Sequence, residues 1–242
     1  MSSLFVRGRL ALLSALIGLL GLSAQNVCAT SLQDLFATNG TITAGDKTFT
    51  SWKNLGDFST NLVDLSRIFV TPLDDPPNNP GLRFTAVDGV LSTSGKDLID
   101  LAFGYTVSTL DGIPKIRDNS LVIDDYSFGT ENKGGFIFVF EDVFDGNDKM
   151  IGQKLVIADN RPPPVFDLSD SATFDPQSQL FIKTVINIGG DEPGDIVSLN
   201  SFTQRFSQVP EPGTFLLLTL GLVALRYGHR RFSANSSESK RS

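Results

Sequence analysis

Ile99-Asp100-Leu101-Ala102-Phe103-Gly104-Tyr105-Thr106-Val107 alternates large apolar residues with small or polar ones. Side chains on an extended chain point to opposite faces with a period of two, so Ile99, Leu101, Phe103, Tyr105 and Val107 share one face. Asp100, Ala102, Gly104 and Thr106 share the other. Leu180, Ile182, Ile186 and Ile188 repeat the pattern, with Lys183 and Asn187 opposite. Phe136-Ile137-Phe138-Val139-Phe140 is apolar on both faces, as a central strand is expected to be. Lys47–Trp52, Arg67–Thr71, Leu82–Val87, Leu121–Phe128, Lys154–Ala158 and Ile196–Phe206 read as further strands. Between these runs lie turn formers: Asp74 through Gly81, Asp111-Gly112, Asp145-Gly146-Asn147-Asp148, and Arg161 followed by three prolines. The expected fold of residues 30–208 is all-β, a two-sheet β-sandwich of jelly-roll type. One short helix is expected at Leu32–Ala37, with Ser31 as its N-cap. No repeat of fixed period appears.

Length and charge agree with a single exported domain. The chain has 242 residues and a formal net charge of −7. Residues 30–209 hold 13 basic and 25 acidic side chains, an excess of twelve negative charges that repels phosphates and excludes nucleic acid as a partner. Acidic residues are 22 Asp against 5 Glu, and Asp favours turns over helix interiors.

The two ends read as addresses. Arg7 and Arg9 precede the apolar run Leu10 to Leu22, and Val27-Cys28-Ala29 places small residues at −3 and −1 of a cleavage site after Ala29. Residues 1–29 are therefore expected to be a signal helix removed by signal peptidase, with Val27 and Ala29 its cleavage residues. Asn26-Val27 does not fit a lipoprotein site at Cys28, so the mature chain is expected to have no cysteine. At the other end, Val209-Pro210-Glu211-Pro212-Gly213-Thr214 leads into the apolar run Phe215 to Leu225, followed by Arg226, Arg230 and Arg231. Arginines resist translocation, which leaves the tail, residues 232–242, in the cytoplasm and the body outside. Eleven helical residues rise only about 16 Å against a hydrocarbon core of about 30 Å, so the C-terminal transmembrane helix is short and suited to temporary retention.

That order of parts resembles the PEP-CTERM sorting signal of bacterial exported proteins. The resemblance rests on Pro210-Glu211-Pro212, Leu220-Gly221-Leu222 and the closing arginines, over residues 209–231. It implies recognition of Val209, Pro210, Glu211 and Pro212 by an exosortase, a membrane-embedded transpeptidase. It further implies transit through the inner membrane, then release or attachment at the cell surface or extracellular matrix. The eleven residues after the arginines depart from the many members that stop soon after them, and a plain C-terminal anchor is the alternative. Gly45-Asp46-Lys47-Thr48-Phe49 and Pro80-Gly81-Leu82-Arg83-Phe84 are similar to a recurring body type among exported proteins with this tail.

Little chemistry remains open to the body. The single histidine, His229, lies among the tail arginines, and the single cysteine, Cys28, precedes the cleavage site. Histidine-dependent triads, Cys–His nucleophiles, histidine zinc sites and c-type haem attachment are thereby excluded. No phosphate-binding glycine fingerprint occurs. A glycoside hydrolase needs only two carboxyl groups, and Asp124, Asp125, Glu131, Glu141 and Asp142 are candidates, though each reads first as a solvated strand-end or turn residue. Glu141-Asp142 with Asp145-Gly146-Asn147-Asp148, and Asp74-Asp75, concentrate oxygen donors suited to calcium. Phe144 and Gly146 break the EF-hand pattern, and a hairpin turn explains the same residues. Trp52, the only tryptophan, is a candidate for stacking on a sugar or for the core. The sequence assigns no catalytic residue, metal ligand or cofactor. It points to a non-enzymatic structural or binding component associated with exopolysaccharide, with a carbohydrate-binding module, calcium-dependent or not, and a carboxylate-only hydrolase as alternatives.

Overall fold

The alternating runs pair edge to edge because each buries one face and must satisfy its backbone groups along its length. The structure, a computed structural model, describes residues 29–76, 79–110, 115–130 and 134–208. The expected signal helix, transmembrane helix and tail lie outside the described residues, apart from Ala29. No helix among the described residues is long and apolar enough to cross a membrane.

In chain order the elements are β1 (Thr30–Ser31), α1 (Leu32–Thr38), β2 (Ile42–Ala44), β3 (Lys47–Asp57), a 3-10 turn (Leu65–Arg67), β4 (Ile68–Leu73), β5 (Gly81–Ala86) and β6 (Ser92–Ser94). These are followed by β7 (Leu98–Thr109), β8 (Ile116–Phe128), β9 (Gly135–Phe144), β10 (Met150–Asp159), β11 (Val165–Asp167), β12 (Ser169–Gln177), β13 (Gln179–Gly190) and β14 (Ile196–Gln208). The first sheet runs β1-β4-β5-β14-β8-β12, with β6 also on β14, and the second runs β11-β10-β9-β13-β7-β3-β2. All pairings are antiparallel.

From β5 onward the chain crosses between sheets at β5–β7, β7–β8 and β8–β9, makes hairpins at β9–β10 and β10–β11, then crosses at β11–β12, β12–β13 and β13–β14. The facing orders β5-β14-β8-β12 and β7-β13-β9-β10 are the jelly-roll connectivity that the alternation led one to expect. Helix α1 starts as anticipated: the Ser31 side chain accepts from the Asp34 N–H, and Asn39 closes the helix in the left-handed region.

The core lies between the sheets. Phe84 stacks on Phe202 at 4.7 Å with the rings nearly parallel, and Phe103, Tyr105 and Trp52 pack around them. Ile99, Leu101, Val107, Ile137, Val139, Ile182, Ile186 and Ile188 are buried on the inward faces of β7, β9 and β13.

Candidate functional site

The outward faces of the two sheets differ in chemistry. On the first sheet, β5, β8 and β14 turn Arg83, Ser120, Asp124, Arg205 and Ser207 outward, as an antiparallel sheet facing water should. On the second, β9 places Glu141, Val139 and Ile137 inward and Phe136, Phe138, Phe140, Asp142 and Phe144 outward. Those outward residues are partly exposed, so among the described residues no layer covers the second apolar face of β9. From Phe136 to Phe144 the file is about 27 Å long at the rise of an extended strand.

Phe136 and Phe138 stack at 4.9 Å, Phe138 and Phe140 meet edge-on at 6.3 Å, and Phe144 contacts Phe181 of β13 at 6.1 Å. Glycines on the neighbouring strands let two of these rings lie close to the sheet. A Cβ at Gly189 would sit 2.8 Å from the Phe136 ring, and one at Gly104 would sit 2.6 Å from the Phe181 ring. Rings that lie across a strand expose a π-face, the part of an aromatic side chain that stacks on an apolar surface.

Polar side chains flank the file in register. Asn187 is opposite Phe138 and Asp100 is opposite Asn187; Asp142 lies between Gln153 and Lys183. Gln153 Nε2 donates to Asp142 Oδ1 at 2.9 Å, and Lys183 Nζ is 3.9 Å from the other carboxylate oxygen. Two cations cap the aromatics: Arg161 lies 4.6 Å over Phe136, and Lys53 lies 5.6 Å over Phe181. Asp159 holds Arg161 there through Nε–H and Nη2–H bonds of 2.9 and 2.6 Å. Those bonds keep the Asp159 carboxyl below the usual carboxylate range and raise Arg161 in turn. Beside Phe181, Lys53, Thr106, Asp145, Asp148 and Gln179 line a shallow cavity of about 240 Å³.

Trp52 plays no part in this surface. It is 4% exposed, packs on Tyr105 at 4.7 Å, and its indole N–H donates to the Phe49 carbonyl. Of the two readings open to Trp52 the structure takes the core: its place on β3 faces inward, and the accessible rings belong to β9 and β13. Their signal was present in the phenylalanines at 136, 138 and 140, but a strand apolar on both faces reads equally as one covered on both sides.

Among the described residues the candidate carboxylates do not converge. Asp124 accepts from the Thr203 hydroxyl and lies 3.6 Å from Arg83 on the outer face of the first sheet, with Asp125 its exposed neighbour. Alternation sends Glu141 into the core and Asp142 to the opposite surface, so the Glu141-Asp142 pair cannot act at one substrate. Glu131 lies outside the described residues. Asp145 closes the β9–β10 hairpin: its Oδ1 accepts the N–H groups of Asn147 and Lys149, which lowers its pKa. Asp74 accepts from the Gly45 N–H. Among the described residues no group of three or more Asp, Glu, His or Cys side chains gathers to hold a metal. The oxygen donors of 141–148 are thus split between the core, the outer face and the turn, and Asp145 serves the hairpin that was the other reading of this stretch.

A second polar group runs through the core. Tyr105 donates to Gln204 Oε1, and Gln204 Nε2 donates to the Thr184 hydroxyl at 2.9 Å, which joins the two sheets. Burial, and secondarily the charge of Glu141, push the Tyr105 phenol well up, so it stays a donor. Lys154 and Glu141 form an ion pair of 2.7 Å with neither side chain exposed, and Asn119 bonds both. At one end of the sandwich, Asp46 accepts from Lys47 Nζ and from Gln208 Nε2, each at 2.7 Å, and so ties down the last residue of β14. Burial lowers the Lys47 pKa, with Asp46 opposing it.

Residues 208–231 match the sequence model of the PEP-CTERM protein-sorting motif. The chain carries that sorting motif, and with it the mark of an exported protein. Val209, Pro210, Glu211, Pro212, Arg226, Arg230 and Arg231 fall within the match, outside the described residues. No curated protein sequence matches the chain. Among solved structures, the chain is similar to TmCBM61 in complex with β-1,4-galactotriose, at 11% identity over 63% of this chain and 86% of that one, with a TM-score of 0.28. It is also similar to the mannan-recognising module TmCBM27, at 12% identity over 66% and 89%, TM-score 0.28. The xylan-binding CBM22-1 domain of Paenibacillus barcinonensis Xyn10C is a third, at 11% identity over 76% and 95%, TM-score 0.22. Likeness at this level carries no inference about ligand.

Proposed function

We propose that this chain is an exported, non-enzymatic component of the cell surface or extracellular matrix that holds a neutral polysaccharide against the outer face of its second sheet. The observation that carries the reading is the file Phe136, Phe138, Phe140 and Phe144 with Phe181, set among Asn187, Asp100, Asp142, Gln153 and Lys183 on an otherwise water-facing sheet. Sugar rings present apolar C–H faces and equatorial hydroxyls. Aromatic faces take the former, and amide, carboxylate and amine groups take the latter. A nucleic acid is disfavoured by the acidic body.

In this reading signal peptidase cuts between Ala29 and Thr30, with Val27 and Ala29 as the small residues it requires. The sandwich, residues 30–208, then emerges outside while residues 209–231 hold it at the inner membrane. An exosortase recognises Val209-Pro210-Glu211-Pro212, and Arg226, Arg230 and Arg231 keep residues 232–242 in the cytoplasm. Exopolysaccharide is the partner expected at the destination.

Two measurements test it. The intact mass of the chain from its host's envelope should show a start near Thr30 and an end near Pro210–Gly213; a chain retaining Phe215 to Ser242 would refute sorting by cleavage. Affinity electrophoresis through gels carrying neutral glucans, galactans, mannans and xylans should retard the protein in at least one, with chelator making no difference. Unretarded migration in all of them, and in gels carrying the host's own exopolysaccharide, would refute the binding role.

A further inference from the structure

Lys154, Glu141 and Asn119 are at most 1% exposed, and they meet in the interior of the sandwich, with the buried Thr184 opposite Glu141 on β13. Their inward neighbours along the same strands are Val156, Val139, Val143 and Leu121, all fully buried. Lys154 Nζ lies 2.7 Å from Glu141 Oε1 and donates to Asn119 Oδ1. Asn119 Nδ2 donates to the same Glu141 Oε1 at 2.5 Å. The three groups therefore close a ring: an amine against an amide carbonyl, with one carboxylate oxygen bridging amine and amide nitrogen. Glu141 Oε2 has no hydrogen-bond partner among the described residues.

As an ion pair this arrangement is costly. Each buried charge loses several kcal/mol of hydration, and recovery requires every remaining lone pair to be satisfied, which Glu141 Oε2 is not. The same groups are the reactants of an amide exchange that removes both charges.

We propose that Lys154 and Asn119 form an intramolecular isopeptide bond, with Glu141 as the catalytic residue. A proton passes from Lys154 Nζ to Glu141, 2.7 Å away, which leaves a neutral amine and a carboxylic acid. The amine lone pair attacks Asn119 Cγ, already held by the contact at Oδ1. The Glu141 acid hydrogen-bonds the developing oxyanion and then delivers its proton to Nδ2. The Nζ–Cγ bond forms, the Cγ–Nδ2 bond breaks, ammonia leaves, and the second amine proton returns to the carboxylate. Lysine amine plus asparagine amide gives a secondary amide plus ammonia, with no oxidant, reductant or cofactor.

The bond would tie β8 of the first sheet to β10 of the second. No cysteine follows Cys28, so no disulfide can supply such a link to residues 29–242. A covalent tie across the sandwich gives a surface protein resistance to pulling and to proteolysis, whatever ligand it holds.

The test is peptide mapping by mass spectrometry of the folded full chain. The expected result is a branched peptide joining the segment around Asn119 to that around Lys154, lighter than the sum of the two by one ammonia. Trypsin should fail to cut after Lys154. Glu141→Gln, which keeps a hydrogen-bonding group but accepts no proton, and Lys154→Arg should both return unlinked peptides. Separate peptides of full mass from folded wild-type protein, with trypsin cutting after Lys154, would overturn the proposal. So would an ammonia deficit confined to a single linear peptide. The wild-type map decides the matter even where a variant fails to fold.

Discussion

Removing one ring from the outer file separates recognition from folding. In Phe138→Ala the side chain lost is partly exposed, stacked on Phe136 and edge-on to Phe140. The two ring contacts are worth about 0.5–1.5 kcal/mol each, or about 1–3 kcal/mol together. For a sandwich of this size that lowers the melting midpoint by roughly 2–12 °C. The same ring at the middle of a stacking platform should carry about 1–2 kcal/mol of binding, or roughly 5- to 30-fold in Kd, since 1.4 kcal/mol is tenfold. The comparison is with Phe84→Ala in the core, where a 1%-exposed ring touching Phe202, Phe103, Trp52 and Tyr105 is deleted. That change should cost about 3–5 kcal/mol of stability. Calorimetry and affinity electrophoresis on the glycan that retards the wild type give both numbers. Phe138→Ala binding as tightly as wild type, with Phe181→Ala behaving likewise, would refute the assignment of this face.

Phe84→Ala itself should lower the melting midpoint by roughly 6–20 °C, while the protein that remains folded binds with unchanged Kd; a loss of affinity larger than the folded fraction explains would contradict the placement of the site outside the core. Gly189→Ala adds a methyl group 2.8 Å from Phe136 and should tilt that ring off the sheet, weakening binding several-fold in a titration with little change in the melting curve. Asp159 has a folded pKa below its unfolded value, so its hold on Arg161 is complete above about pH 4 and is lost as pH falls through the lower, folded value. Binding measured from pH 6 downward should therefore weaken only at that acid end. Asp159→Asn should bind more weakly at pH 6 and lose that acid-side step, and an unchanged profile would contradict the positioning of Arg161 by Asp159.

The fold was legible where a strand buries one face and exposes the other. Ile99 to Val107 and Leu180 to Ile188 show their parity directly, and β7 and β13 lie side by side in the second sheet. Strand β12 was not legible, because as an edge strand it buries little besides Phe174 and reads Ser-Asp-Ser-Ala-Thr-Phe-Asp-Pro-Gln, without an apolar stripe. Strands β1, β2, β6 and β11 are two or three residues long, too short for a period to register. The outer aromatic file was half legible: its residues were visible, but whether anything covers them is a tertiary fact. Trp52 went the other way, a residue type suited to sugar stacking but placed at an inward position.

The buried triad was hidden by the habit of reading charged residues as surface residues. Glu141 shares parity with Ile137, Val139 and Val143, and Lys154 shares it with Val156 and Ala158; Asn119 shares it with Leu121 and Ile123. Each is a polar residue at the inward position of its strand, and register then sets Lys154 opposite Glu141 with Asn119 facing them from the other sheet. One such residue would read as a strand end or a bulge. Three that meet are a constellation, because burying any of them alone would leave an unpaired polar group in the core. Parity thus separates the two proposals: the inward positions carry the groups that would link the sheets, and the outward positions of β9 and β13 carry the rings that would hold the ligand.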